Sequence, residues 1–343
     1  MCDVILARDA GGGIRHAQLV LSMRRALISL GVLLILLAGA AVYLTQPVFP
    51  SRVNAPQPSV DPVRLRAHVE TLAGMAPRDW EHVENLDRAA EYIRGEFAKS
   101  GGRVSDQTFG TRERSYRNIV VRFGPESGER VVVGAHYDAF SQFPGADDNA
   151  SGVAALIELA FLLGRQPPAT TVELVAFTLE EPPFFRSNEM GSAIHALELD
   201  AQHVSLRAMV CLEMVGYFSD DPDSQHYPAP GMGLLYPKRG NFIAVVGNTA
   251  NVGLTRRVKT AMLEAGDLPI YSINAPALLA GIDFSDHLNY WEHGFPAVMV
   301  SDTAFYRNPG YHRALDTPEK LDYVRLSKVV QQVHYAVRKM ASN

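Results

Sequence analysis

The sequence is poor in residues that several common chemistries require. Of 343 residues only two are cysteine, Cys2 and Cys211. A disulfide framework and an all-cysteine zinc site are both excluded. Cys211 lies inside an apolar run (AMVCLEM) and reads as a buried small hydrophobe. Basic residues are not in excess: 32 Lys and Arg against 37 Asp and Glu give a formal net charge of -5. That balance lacks the basic footprint of a nucleic-acid partner. There is no internal repeat, and no low-complexity tract beyond one apolar run. Metal chemistry, if present, must rest on His, Asp and Glu. A content of 47% hydrophobic and 20% charged residues is enough to bury a large core.

The apolar run is Ala26 to Leu44, which carries no charge. Its length is close to the roughly 20 residues that span a bilayer. Arg24 and Arg25 precede it, with Arg15 and His16 further upstream, which predicts an N-terminus held in the cytoplasm and the remainder outside. Two readings stand: an uncleaved signal anchor, which is favoured because the run continues past Ala38-Gly39-Ala40, or a signal peptide cleaved there. The anchor leaves the rest of the chain membrane-tethered in a periplasmic or extracellular space, and cleavage would release it. Met23 is an alternative start. The expected organisation is an N-terminal extension over 1–22, a transmembrane anchor over 23–45, a linker rich in Pro, Ser, Gln and Asn over 46–61, and a folded domain over 62–343.

Within that domain, helical and strand-like segments alternate. Residues 85–100 place Leu86, Ala90, Ile93 and Phe97 on one helix face. Strands are expected over 116–123, 130–136, 171–179, 207–214, 242–247 and 295–301, with helices over 152–164 and 251–265. A last helix starts near Pro318, with Thr317 as its N-cap and an apolar face of Leu321, Val324, Val329, Val333 and Val337. The pattern predicts an α/β domain with a mostly parallel central sheet flanked by helices on both faces. Ligands in such folds bind beyond the C-terminal ends of the strands.

The residues found there are chemically distinctive. His136 ends one strand, and Asp138 points the same way two residues on, where its carboxylate can orient the imidazole. Asp147 and Asp148 precede a buried helix, for which capping would explain only one acid. Glu180 and Glu181 end another strand. Being adjacent they point in opposite directions, so one can bind a metal while the other faces a reacting water. Glu213 stands alone in an apolar run, and His312 follows the last strand. Oxygen and nitrogen donors without sulfur suit zinc, with manganese or cobalt as alternatives. A shared carboxylate can hold two such ions.

The segments GAHYD, PGADDNASG, TLEE, CLEM and YHRALDT, in this order, together with the tripeptide Ser285-Asp286-His287 and GFPA, resemble the di-zinc metallopeptidase family twenty-eight. That family includes bacterial leucyl aminopeptidases, glutamate carboxypeptidase and the related glutaminyl cyclases. The resemblance implies a zinc aminopeptidase-like fold over about 62–343, a peptide substrate and two zinc ions per chain. It places His136 and Glu213 on one zinc, Glu181 and His312 on the other, and Asp148 between them. Asp147 is structural, Glu180 is the general base, and the Asp148-Asn149 bond is cis. Many aminopeptidases of the family have aspartate where this chain has Glu213. Tyr306 or Tyr311 is a candidate oxyanion donor, and residues 219–240 either line a specificity pocket or form a solvated loop. The competing readings are a one-zinc glutaminyl cyclase-like acyltransferase, a carboxypeptidase acting on acidic peptides, and a non-catalytic binding ectodomain.

Overall fold

The computed structural model describes residues 11–53 and 57–342. The first ten residues of the N-terminal extension, residues 54–56 of the linker and Asn343 lie outside it. The chain divides into two compact units between Leu44 and Thr45.

The first unit is a helix, α1 (Gly11–Thr45). Its stretch from Leu19 to Thr45 is long and apolar enough to cross a membrane, with a mean hydropathy of 2.6. The helix starts well before the apolar run, so residues 11–22 of the expected extension are helical. No proline interrupts them, and Arg15, Ala17, Gln18, Leu19 and Leu21 favour continuation of the helix.

The second unit carries, in chain order, α2 (Pro62–Ala73), α3 (Val83–Lys99), β1 (Arg103–Thr111), β2 (Arg114–Phe123), β3 (Arg130–His136), α4 (Gly152–Arg165), β4 (Thr171–Phe177), α5 (Gly191–Ala201), β5 (Leu206–Glu213), β6 (Ile243–Gly247), α6 (Val252–Ala265), β7 (Ile270–Asn274), α7 (His287–Glu292), β8 (Ala297–Ser301) and α8 (Tyr323–Ser342). Its first helix opens on Asp61, whose carboxylate accepts from the Val63 amide, with Pro62 in the first turn where a missing N–H costs nothing.

The strands form one sheet in the order β1-β2-β4-β3-β5-β8-β6-β7. The central strands β4, β3, β5 and β8 are mutually parallel, as expected. The flanks depart from that pattern: β1 and β2 run antiparallel to each other and β2 to β4, while β6 is antiparallel to β8. Helices cover both faces. One layer holds α2, α3, α4, α6 and α8, which pack on one another, and α5 packs with α7 on the opposite face. The central strands are buried nearly end to end, which is why they read as continuous apolar runs.

The last helix differs from expectation. Pro318–Lys320 is a single tight turn and α8 begins only at Tyr323. The Thr317 hydroxyl donates to Glu319 instead of capping, and Asp322 caps α8 by accepting from the Arg325 amide at 2.9 Å. The buried stripe is therefore Leu326, Val329, Val330, Val333 and Val337, and Val324 is 60% exposed.

Candidate metal centre

Three parallel strands and two loops converge on one point. His136 is the last residue of β3 and Glu213 the last of β5, while Glu180 and Glu181 follow β4. Asp148 lies in a tight non-helical segment before α4, across a cis Asp148-Asn149 bond. His312 comes from the loop after β8. Leu179, Met214 and His312 each hold a positive φ without being glycine. Such backbone persists only where surrounding bonds fix it. At Met214 the fixing is visible: its amide donates to Asn149 Oδ1 at 3.1 Å and its carbonyl accepts from Asp302 at 2.7 Å.

The two oxygens of Asp148 face different partners. Oδ1 is 3.3 Å from His136 Nε2, and Oδ2 is 3.3 Å from His312 Nε2. On the first side, Glu213 Oε2 is 3.3 Å from His136 Nε2. On the second, Glu181 Oε2 is 3.2 Å from His312 Nε2. The ligand-type atoms thus form two groups, His136/Asp148/Glu213 and Asp148/Glu181/His312, each within 4.8 Å internally. Glu180 stands beside the first group without belonging to it, with Oε2 3.9 Å from His136 Nε2.

The surrounding bonds explain this placement. The Asp138 carboxylate accepts the amides of Glu180 at 3.2 Å and Glu181 at 3.0 Å. It fixes the turn bearing both glutamates, and His136 Nδ1 lies nearer the Asp138 carbonyl oxygen, at 3.2 Å, than its carboxylate, at 3.5 Å. The expected carboxylate–imidazole bond is therefore the lesser role of Asp138. Asp147 points away from the centre, accepting from the Gly216 amide and the Asn308 side chain. Asn149 donates to the Leu212 carbonyl and to Glu213, and Ser285 donates to Glu213 at 2.7 Å. Gly152 allows this approach, since a Cβ there would fall 2.7 Å from the Leu212 carbonyl oxygen.

Two supporting residues were not foreseen in these roles. Asp316 does not serve the terminal helix: its carboxylate accepts the amides of Asp147 and Asp148 at 2.9 and 3.0 Å. Burial, with Asp147 nearby, pushes its carboxyl up to about 8. Arg78 is fully buried and donates to the carbonyls of Leu72, Tyr137, Pro144 and Gly145, closing the loop that carries His136 into Asp148. No spacing announces such a residue, because its partners are backbone oxygens.

Electrostatically the protein atoms alone are unbalanced. Burial, reinforced by Asp148, pushes the Glu181 carboxyl up to about 7. Burial, with Glu181 and Glu213 adding to it, holds Glu180 well above the carboxylate range. Burial would raise Asp148 too, but the His136 and His312 rings hold it below the usual range. Burial opposes the charged form of His312, yet Asp148 and Glu181 raise it to about 10. His136 Nε2 and Glu181 Oε1 are buried without a hydrogen-bond partner. Clustered, desolvated acids with unpartnered donor atoms fit a divalent cation, which would supply the missing charge and coordination.

A cavity of about 310 Å³ opens beside these groups. Strand alternation sets its floor: Ala244 and Val246, Tyr271 and Ile273, and Met299 and Ser301 share one sheet face. The segment 219–240 lines it through Gln225, His226, Tyr227, Pro228, Met232 and Tyr236, so it is not merely a solvated loop. No Lys or Arg is among the described lining residues.

The family model for peptidase family M28 matches residues 118–337. An uncharacterised protein of Escherichia coli (strain K12), YfbL, is 51% identical over 265 residues, covering 75% of this chain and 81% of that protein. Leucine aminopeptidase 1 of Grosmannia clavigera is 22% identical, covering 84% of this chain and 68% of that protein. Two solved structures from Bacteroides thetaiotaomicron share the fold at 19% identity. A leucine aminopeptidase precursor has a TM-score of 0.64, covering 82% of this chain and 98% of that one. A glutaminyl cyclase has a TM-score of 0.62, covering 82% and 99%.

Proposed function

The chain belongs to peptidase family M28 and is a metallopeptidase, and from that premise we propose that it is a zinc-dependent aminopeptidase with a two-metal site. The observation that carries this reading is the division of Asp148 between two histidines, one oxygen to each. His136 and Glu213 would hold one zinc and Glu181 and His312 the other, with Asp148 offering one oxygen to each side. Bound there, zinc lowers the pKa of a coordinated water and polarises the scissile carbonyl.

The chain's own residues do the rest. Glu180 lies beside His136 without completing either group, as a general base requires. It takes the proton of the attacking water and delivers it to the leaving amine. Of the two candidate tyrosines, both of which line the cavity, Tyr306 already donates to the Ala280 carbonyl. The Tyr311 hydroxyl has no partner among the described residues and is the one free to donate to the oxyanion.

The cavity's charge favours an aminopeptidase. A carboxypeptidase must neutralise a terminal carboxylate, and no Lys or Arg is among the described residues that line this cavity. Acids at one end suit a substrate ammonium group, and the apolar floor suits an apolar first side chain. A one-zinc cyclase needs only one of the two groups, whereas both are complete here. We further propose that α1 anchors the chain in a membrane, with the peptidase domain outside the cytoplasm.

The test is a substrate screen on the full chain in detergent. Aminoacyl anilides with a free amine and an apolar first residue should be hydrolysed, and their N-acetylated forms should not. Release of C-terminal residues, or pyroglutamate formation from glutaminyl peptides in place of hydrolysis, would overturn the aminopeptidase reading.

A further inference from the structure

The two histidines of the centre are held by different means. His136 is fully buried, with its Nδ1 facing Asp138. His312 sits on a loop, directs Nε2 at Asp148 and Glu181, and its Nδ1 makes no hydrogen bond among the described residues. A metal-binding imidazole is ordinarily oriented through its second nitrogen. The torsion that turns the ring is otherwise soft, with a broad two-fold profile.

Two aromatic rings enclose His312 instead. Phe140 lies parallel to it, with 4.0 Å between centres and 3° between planes. Tyr311 lies at 3.9 Å and 15°. Two parallel rings at that distance cannot share one face, so the imidazole is sandwiched. Phe140 is itself fixed: it stacks on Phe143, and Arg78 ties down the loop at the carbonyls of Tyr137 and Pro144.

We propose that Phe140 is a positioning residue that, with Tyr311, clamps the imidazole of His312 edge-on to Asp148 and Glu181, in place of the hydrogen bond that orients His136. The clamp works in two ways. Rotation of the imidazole would drive it into one ring or the other. The two π faces also favour a ring polarised by a bound cation. This inference rests on the reading of His312 and Glu181 as metal ligands. It separates the two sites, since Phe140 stacks on only one of the two histidines.

The experiment is stepwise zinc binding to the metal-free full chain in detergent, by competition with a chromophoric chelator. Phe140→Ala should weaken one step by about ten-fold or more and leave the other unchanged. The weakened step should be the one that His312→Ala abolishes. Phe140→Leu keeps apolar bulk without a flat face and should behave like Phe140→Ala; it also answers the question if the alanine variant folds poorly. Phe140→Tyr should restore parental binding. Parental affinities in both Phe140→Ala and Phe140→Leu would overturn the clamp, and so would Phe140→Leu binding as well as Phe140→Tyr. If His312→Ala itself kept both steps, the assignment of His312 as a ligand would fail, a result distinct from failure of the clamp alone.

Discussion

Glu180 and Glu181 are adjacent and identical in chemistry, yet they meet different surroundings. Their amides are held by the two oxygens of one Asp138 carboxylate. Their side chains then diverge, Glu181 to His312 and Glu180 to the space beside His136. Glu180→Gln should therefore keep the metal and lose activity by about 10²–10⁴-fold in kcat. Kinetics and zinc content on the same sample check this. A variant with parental kcat would mean the base lies elsewhere. At this scale the residues that meet at the centre were legible, because donor types that suit a metal come from a short menu and several of them fall at strand ends. The helpers that hold them were less so. Arg78 works through carbonyls, and Asp316, just before the expected start of the last helix, serves two backbone amides.

Among the elements, β4 shows what a buried apolar strand can hide. Every residue from Thr171 to Phe177 is buried, yet Glu173 sits in the middle. It pairs with Arg122 directly opposite on β2, with Arg130 on β3 at 3.3 Å, and with His195 Nε2 at 2.6 Å. Burial alone would raise its carboxyl, but His195 and Arg122 hold it at about 2. A depressed carboxylate contributes stability above its unfolded value near 4.5, and that contribution is lost as pH falls through about 2. Glu173→Gln should thus cost about 3 kcal/mol at neutral pH. The gap to the parent should shrink below pH 4.5 and close near pH 2. Denaturant unfolding across that range measures it, and a gap independent of pH would contradict the assignment. Edge elements were the hardest to read. β1 is half exposed and lacks an apolar period, and its turn into β2 uses Arg112 and Glu113 at positive φ, without the Asn-Gly or Asp-Gly signal of a tight hairpin.

For the molecule as a whole, the parallel centre of the sheet was predictable from its apolar strands, and the antiparallel flanks were not. Nothing in β6 or β8 announces that the chain reverses between them, yet that reversal helps build the cavity floor from Ala244, Val246 and Met299. The sheet thus gathers ligand-type side chains at the ends of its central strands and an apolar surface on its far half. Together these suit the proposed aminopeptidase, in which two zinc ions would share Asp148. The most direct test is the zinc content of the full chain in detergent, titrated from the metal-free state, for the parent, His136→Ala and His312→Ala. Two zinc ions are expected per parental chain and one in each variant. One zinc in the parent, or two in either variant, would contradict a two-metal site shared through Asp148.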